Sequence, residues 1–332
     1  MSLLWLSTTS ISCSATSFPH GSEDWSHVTA VRQPISSRQN DPNMIDLRKA
    51  SAAVHARALR LESLRVGVSA TLAIAGVLAA FVQIIMPPIA AMGALWALVL
   101  AVGVNPWVRG LAKRAATLQE MFDVELFGLP WNKTICGSTP ARYECNRWTR
   151  KFSTRRGGVE RLRDWYVDVG SIPQPYDILF CQLQNLAWDS RLRRRWARTV
   201  LALVIVWVGL GALVGYLASL TIKETLVSWY LPAMGAFLLG FDNYRGQLEI
   251  ASERERLTQI VQAELDGARR PPLSKKESLR LSQVMREIQD AIFSTRKHTA
   301  RVPDWFYRRF RGSDQRDFQL GADVLRGKLV GP

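Results

Sequence analysis

The sequence lacks charged side chains over two long stretches. No Asp, Glu, Lys or Arg occurs in residues 66–108, a run of 43 positions, or in residues 199–222, a run of 24. A helix of 43 residues would be about 65 Å long, roughly twice the thickness of the hydrocarbon core of a bilayer. The first run must therefore fold back on itself, and the absence of charge excludes a single soluble globular domain.

The sequence also lacks the residue patterns of most enzymes and metal proteins. Its four cysteines form no C-x-x-C pair and its four histidines do not cluster with them, so no zinc site is readable. It holds no nucleophile with a neighbouring base, no phosphate-binding glycine loop and no H-E-x-x-H. The apolar segments contain no ionisable side chain, which argues against a proton-coupled transporter. We therefore expect no enzyme, no metal ion and no cofactor.

The apolar segments that are present predict two transmembrane helical hairpins. The predicted spans are residues 66–86 and 89–108, joined at Pro87-Pro88, and residues 199–222 and 225–241, joined at Lys223-Glu224. The chain carries 43 Lys and Arg against 28 Asp and Glu, and all three long polar segments are net positive. Positively charged segments stay cytoplasmic, so both termini and the middle region are predicted inside. Anionic lipid accounts for this charge, and no nucleic-acid polymer is expected as a partner.

The predicted fold is an all-α integral membrane protein with mainly helical cytoplasmic segments, because no long stretch alternates with a period of two. The predicted regions are a disordered N-terminal extension (1–34), a juxtamembrane helix (35–65), hairpin 1 (66–108), a cytoplasmic helical region (109–198), hairpin 2 (199–241), a C-terminal cytoplasmic helical region (242–311) and a tail (312–332). Within them, residues 111–127 have helical spacing and residues 177–198 continue into the third span. Ser274 and Glu277 form a capping box that starts a further helix.

One face of the first span is small or polar from end to end. Its members recur at steps of four and three: Ser69, Ala73, Gly76, Ala80 and Gln83. Such a stripe packs against another helix or lines a pore, and packing is the commoner case. In the third span, Gly211 and Gly215 form a G-x-x-x-G, which predicts a helix contact within the chain or between subunits.

A segment near the C-terminus, residues 301–311, interleaves four aromatic rings with four arginines. Rings stack on nucleotide bases and guanidinium groups pair with phosphates, so the segment suits a nucleotide. The same mixture suits anionic lipid or docking within the protein, which are the commoner uses. The pattern alone leaves these alternatives open.

Several strings spread along the chain resemble those of one family. They are ISSRQN at 35–40, QEMFD at 119–123 with Phe127, PWN at 130–132, DWY at 164–166, CQ at 181–182 with Asn185, WD at 188–189, LR at 192–193 and VPDWFY at 302–307. With the two hairpins in the same order, residues 35–311 resemble the S-4TM family of pore-forming effectors.

The resemblance implies a bacterial anti-phage effector that works beside a cyclic-oligonucleotide synthase. It implies that the effector senses a cyclic oligonucleotide and permeabilises the inner membrane as a homo-oligomer, killing the cell before phage release. The predicted sensing residues are Trp131, Asn132, Asp164, Trp165, Tyr166, Asp304, Trp305, Tyr307 and Arg308. The alternatives are a non-conducting membrane scaffold that recruits a cytoplasmic partner and a constitutive small-solute channel.

Overall fold

The computed structural model describes residues 33–79, 86–154, 158–298 and 302–330, and within these ranges the chain is helical with no strand. The helices are α1 (Ile35–Arg38), α2 (Pro42–Ala79), α3 (Met86–Val99), α4 (Asn105–Phe127), α5 (Lys133–Cys136), α6 (Arg142–Thr149), α7 (Tyr176–Leu217), α8 (Ile222–Thr225), α9 (Leu231–Asp266), α10 (Lys275–His298) and α11 (Asp304–Val330). Two π-helical turns, Leu100–Val104 and Leu226–Tyr230, lead into α4 and α9, and a 3₁₀ turn covers Glu160–Leu162. The predicted extension at residues 1–34 lies outside these ranges except for its last two residues.

Local sequence signals account for the helix ends. Helix α4 ends at Phe127 because Gly128 adopts a left-handed φ of 70° and returns its N–H to the Val124 carbonyl. Ahead of α10, the Ser274 hydroxyl accepts the Glu277 N–H at 3.2 Å, which confirms the predicted start of that helix. The two prolines at 87 and 88 lie in the first turn of α3, where a missing N–H costs no hydrogen bond. They begin a helix rather than forming the turn predicted there.

Helix α7 joins a polar half and an apolar half without a break. Its 42 residues correspond to about 63 Å of helix, and the predicted helical continuity of residues 177–198 with the apolar segment that follows them is confirmed. Among the described residues it is the one helix that is long and apolar enough to cross a bilayer, and 11% of its apolar window is buried within the chain. Large apolar side chains such as Leu203, Ile205 and Leu213 are exposed along it. An exposed apolar surface of this kind suits lipid.

The first apolar run folds into two helices in contact. Helix α2 packs on α3, and the Trp96 indole N–H donates to the Ser69 hydroxyl at 3.1 Å. At the polar end, Arg65 donates to the Asn105 side chain at 3.0 Å. Ser69 therefore serves a helix contact. The structure does not describe the surroundings of the other predicted stripe positions, which are Ala73, Gly76, Ala80 and Gln83.

The second apolar run packs α7 against α9 and the π turn that precedes it. A Cβ at Gly211 would lie 2.5 Å from the Trp229 ring, and one at Gly215 would lie 2.6 Å from the Thr225 hydroxyl. The Tyr230 hydroxyl also donates to the Val208 carbonyl at 2.8 Å. The G-x-x-x-G is thus a contact within the chain, where missing side chains let two segments approach closely.

The polar segments share one apolar core, to which α2, α4, α7, α9, α10 and α11 contribute. Helix α11 extends to Val330 through the residues predicted as a tail. Its buried side chains Phe318, Ala322, Leu325 and Leu329 recur at steps of four, three and four, and they pack on that core. The C-terminal segment is therefore part of the fold.

Candidate functional site

A cavity of about 70 Å³ lies where seven parts of the chain meet in the polar half of the molecule. Its lining comes from α2 (His55), α4 (Gln119), the loop before α7 (Trp165, Tyr166), α7 (Gln184, Asn185, Trp188, Asp189, Leu192, Arg193), α9 (Arg254), α10 (Arg296), and the start of α11 with the residue preceding it (Val302, Tyr307). The six residues of α7 fall in three pairs four positions apart, so they share one helical face. The apolar half of the same helix begins one to two turns further on.

Three buried arginines reach this cavity from three different helices. Arg193 and Arg254 both point at Oδ2 of Asp189, with Nε distances of 2.5 and 3.0 Å. Arg193 also donates to the Gln247 side chain at 2.7 Å. Burial raises the pKa of Asp189, but the two guanidinium groups outweigh burial and lower it to about 2. Asp189 is therefore ionised at neutral pH and ties α7 to α9.

The third arginine, Arg296 of α10, is held by a carboxylate behind the cavity wall. Arg296 Nη1 donates to Asp123 Oδ2 at 2.6 Å, and the Tyr166 hydroxyl donates to Asp123 Oδ1 at 2.8 Å. Burial raises the pKa of Tyr166 well above its usual value, and the nearby Asp123 charge raises it further. Tyr166 stays neutral and acts as a hydrogen-bond donor. Asp123 thus fixes two side chains that line the cavity.

Glu120, one turn before Asp123 on α4, extends this buried polar layer towards α10. It accepts from Arg286 and from Gln289, each at 2.8 Å. Burial raises the pKa of Glu120, although the arginines beside it act in the opposite direction. The layer joins α4 to α10.

Three aromatic rings form one wall of the cavity. Trp188 and Tyr307 are stacked at 5.1 Å between centroids, and Trp165 lies 6.0 Å from Trp188 and 6.4 Å from Tyr307. The angles between these ring planes are 9–22°, so the three rings are nearly parallel. The Arg48 guanidinium sits 3.6 Å from the Trp165 centroid on the other side. Parallel rings beside arginines provide stacking surfaces and phosphate-binding donors together.

The structure brings three of the predicted sensing residues together at this cavity, namely Trp165, Tyr166 and Tyr307. They come from segments about 140 residues apart in sequence. Trp165 and Tyr307 contribute to the aromatic wall, while Tyr166 presents its hydroxyl to Asp123. These three remain the predicted residues with the best placement for a ligand.

Four other predicted sensing residues do not line the cavity. Asn132 caps α5 and donates to Asp290 at 2.8 Å, and Trp131 donates to the Gly137 carbonyl at 2.8 Å. Asp164 accepts from Asn40 at 2.8 Å on the surface, and Trp305 is exposed beside Trp196. These contacts stabilise loops and helix ends. The last two predicted sensing residues, Asp304 and Arg308, have side chains outside the described part of the chain.

Eleven of the fourteen lining residues are not among the predicted sensing residues, and the buried Arg254 and Arg296 are two of these eleven. These two arginines stand on separate helices in ordinary charged stretches, and nothing in their spacing indicates that they converge. A signal for other lining residues was present in the family-like strings. Ten of the fourteen lining residues belong to those strings: Gln119, Trp165, Tyr166, Asn185, Trp188, Asp189, Leu192, Arg193, Val302 and Tyr307.

Comparison with known proteins supplies the family. The SMODS-associating 4TM effector domain matches residues 33–325, which is most of the chain. The chain belongs to this effector family. It is also similar to a probable CBASS effector molecule of Bacillus cereus strain VD146, with 24% identity over 241 residues, 71% of this chain and 77% of the relative. No solved structure matches.

Membership in the SMODS-associating 4TM effector family agrees with the physical character of the molecule. The family name and the exposed apolar half of α7 both indicate association with a membrane. Within the described ranges, no group of three or more His, Cys, Asp or Glu side chains is placed to hold a metal ion. The cysteines at 136, 145 and 181 are buried free thiols. The cavity thus brings buried arginines, a carboxylate and aromatic rings of this effector to one point.

Proposed function

We propose that this protein is a membrane effector of bacterial anti-phage defence that senses a cyclic oligonucleotide and forms a pore in the inner membrane. Its family and its CBASS-effector relative support the defence role and a functional link to a cyclic-oligonucleotide synthase. The observation that carries the proposal is the continuity of α7, which lines the cavity with one half and exposes apolar side chains with the other. A change at the cavity therefore acts directly on the apolar segment.

The proposed topology has four spans in two hairpins, with both termini in the cytoplasm. Support comes from the contacts of α2 with α3 and of α7 with α9, which bring the apolar segments together in pairs. In this arrangement the cavity and its arginines lie on the cytoplasmic side, where a cyclic oligonucleotide is made. Several copies of the chain would surround one pore.

The proposed role of the cavity is binding, without catalysis and without a cofactor. Asp189 is the carboxylate among the described lining residues, and its low pKa of about 2 makes it a poor general acid or base at neutral pH. Binding opens the pore when the open state holds the ligand better than the closed state does. Moving from 1% to 99% open requires about 5.5 kcal/mol of such preference, which several subunits share.

The test is dye release from liposomes that contain the purified full-length protein, after correct insertion has been checked by protease protection. The panel contains cyclic di-AMP, cyclic di-GMP, cyclic GMP-AMP and cyclic tri-AMP. We expect one of them to trigger release. Dye release without any ligand would instead support a constitutive channel, and no dye release with any of the four ligands would support a non-conducting scaffold.

A matched variant connects the release to the cavity. Trp188→Leu removes a ring from the aromatic wall, whereas Trp305→Leu removes an exposed ring on a neighbouring surface. We expect the first change to raise the ligand concentration needed for half-maximal release by about tenfold or more, because one stacked base contributes about 1–3 kcal/mol. The second is expected to leave that concentration unchanged. Equal shifts of that concentration in the two variants would show that the ligand is not sensed at this cavity.

A further inference from the structure

Two buried donors at the cavity have no hydrogen-bond partner. They are Nη2 of Arg296 and the indole N–H of Trp188. Arg254 is 1% exposed, and burial lowers its pKa to about 10 in spite of the nearby Asp189 charge. Unpaired buried donors are costly, so a site that retains two of them beside buried arginines is suited to an incoming group rich in acceptors.

One oxygen of Asp189 already stands where such a group would bind. Arg193 and Arg254, from two different helices, both converge on Asp189 Oδ2. A phosphate is the anion that two converging guanidinium groups hold best, because its several oxygens accept from both at once. The aromatic wall of Trp165, Trp188 and Tyr307 lies beside this point and offers a flat face to a base.

We propose that the cavity binds a nucleotide phosphate on Arg193 and Arg254, and that Asp189 is an internal competitor which occupies the phosphate position until the ligand displaces it. This inference rests on the proposed function for its effect on the pore, whereas the binding experiment that tests it does not depend on pore formation. Exchange of one anion for another keeps both arginines paired, so it avoids the cost of leaving a buried charge alone. After the exchange, the ligand and no longer the Asp189 side chain of α7 pairs with Arg254 of α9.

The volume of the cavity agrees with displacement. A space of about 70 Å³ is far smaller than the roughly 300–1,000 Å³ of pockets that hold small-molecule ligands. A nucleotide therefore cannot enter unless part of the wall moves. The Asp189 side chain is 28% exposed, which makes it the part of the ion cluster with room to rotate outwards, whereas Arg254 and Arg193 are enclosed.

The test is calorimetric titration of full-length protein in detergent with AMP and with inorganic phosphate. For Asp189→Asn we expect affinity for both probes to rise by about tenfold, because the competing charge is removed and both arginines remain. If Asp189 only held the fold together, the same change would weaken binding. No gain for either probe overturns the proposal. If affinity for phosphate rises but AMP binds no more tightly than phosphate, the proposed stacking of the base on the aromatic wall is overturned.

Asp314→Asn is the matched control. Asp314 is a buried acid placed 3.5 Å from Arg191 and from Arg195, and none of these three residues lines the cavity. We expect its loss to leave both affinities at the wild-type value, and a gain equal to that of Asp189→Asn would overturn the proposal. Adding Arg254→Lys to Asp189→Asn is expected to remove the gain, because lysine lacks the two-pronged geometry.

A second substitution covers the case in which Asp189→Asn does not fold. Asp189→Glu keeps the competing charge on a longer stem, so we expect affinity equal to or below that of the wild type, and a gain would overturn the proposal. These titrations do not depend on membrane leakage. Higher affinity of Asp189→Asn for the probes, together with no dye release by any cyclic oligonucleotide, would support the site and contradict the proposed function. Dye release without that rise in affinity would support the proposed function and contradict the site.

Discussion

Gly211 shows how the absence of a single side chain allows two segments of the second hairpin to meet. Trp229 and the Tyr230 hydroxyl fill the space that a Cβ would occupy, at 2.5 and 2.9 Å. Gly209, two positions earlier on the same helix, has open space around it. We expect Gly211→Ala to lower the free energy of unfolding in detergent by about 1–3 kcal/mol through overpacking, and Gly209→Ala to lower it by none. Equal stability of the two variants would contradict this packing.

Asp189 gives a second prediction at the residue scale, for pH. Its pKa is about 2 in the folded protein against 3.8 ordinarily, so the folded state favours the ionised form. The resulting stability, about 2 kcal/mol, is present above pH 4 and is lost as the pH falls towards 2. We expect Asp189→Asn to lack this part of the acid-induced loss. Thermal unfolding of both proteins between pH 6 and pH 2.5 measures the difference, and parallel profiles would contradict it.

At the scale of elements, the contact of α4 with α10 depends on a buried ion pair. Arg296 and Asp123 are 7% and 1% exposed and 2.6 Å apart. We expect Asp123→Asn to cost about 3–5 kcal/mol, because it removes the nearest charge partner of a buried guanidinium and leaves only Glu120, at 4.0 Å. The exposed pair of Asp323 with Arg326, also 2.6 Å apart, serves as the control. Asp323→Asn should cost less than about 1 kcal/mol in the same unfolding experiment. Similar losses in the two variants would disprove the assignment.

The sequence predicts those elements whose signal is local. Residues 111–127 and the segment that follows Ser274 are helical as predicted, since a 3.6-residue period and a capping serine act within one segment. Residues 312–332 were predicted as a tail, although Phe318, Ala322, Leu325 and Leu329 within α11 follow the same period. Its many charges and its glycines at 312, 321 and 327 obscured that pattern.

The convergence of side chains at the cavity was less predictable. Trp165 and Tyr307 were named because they belong to family-like strings, but a string does not show which of its members face one point. Trp131 and Asn132 belong to equally distinctive strings and serve α5 instead. Arg254 and Arg296 reach the cavity because α9 and α10 pack beside α7. Such tertiary placement depends on all helices at once and leaves no trace in local spacing.

At the scale of the whole molecule, α7 and α9 are the physical link between the cavity and the apolar segments. Each helix has a polar half that contributes an arginine to the cavity, Arg193 from α7 and Arg254 from α9, and an apolar half joined to it without a break. The two helices pack along each other. In the proposed mechanism, opening requires these helices to shift relative to one another. A covalent tie between their apolar halves should therefore hold the molecule closed even when ligand is bound.

Val204 and Gly240 are suitable positions for such a tie. A Cβ at position 240 would lie 3.0 Å from Val204 Cγ2, which is within the reach of a disulfide. We expect the double variant Val204→Cys/Gly240→Cys to lose ligand-triggered dye release when oxidised and to recover it after reduction with dithiothreitol. Each single variant serves as a control for the substitution itself. Unchanged release from a fully cross-linked sample would show that α7 and α9 move as one body, and that opening occurs at another contact.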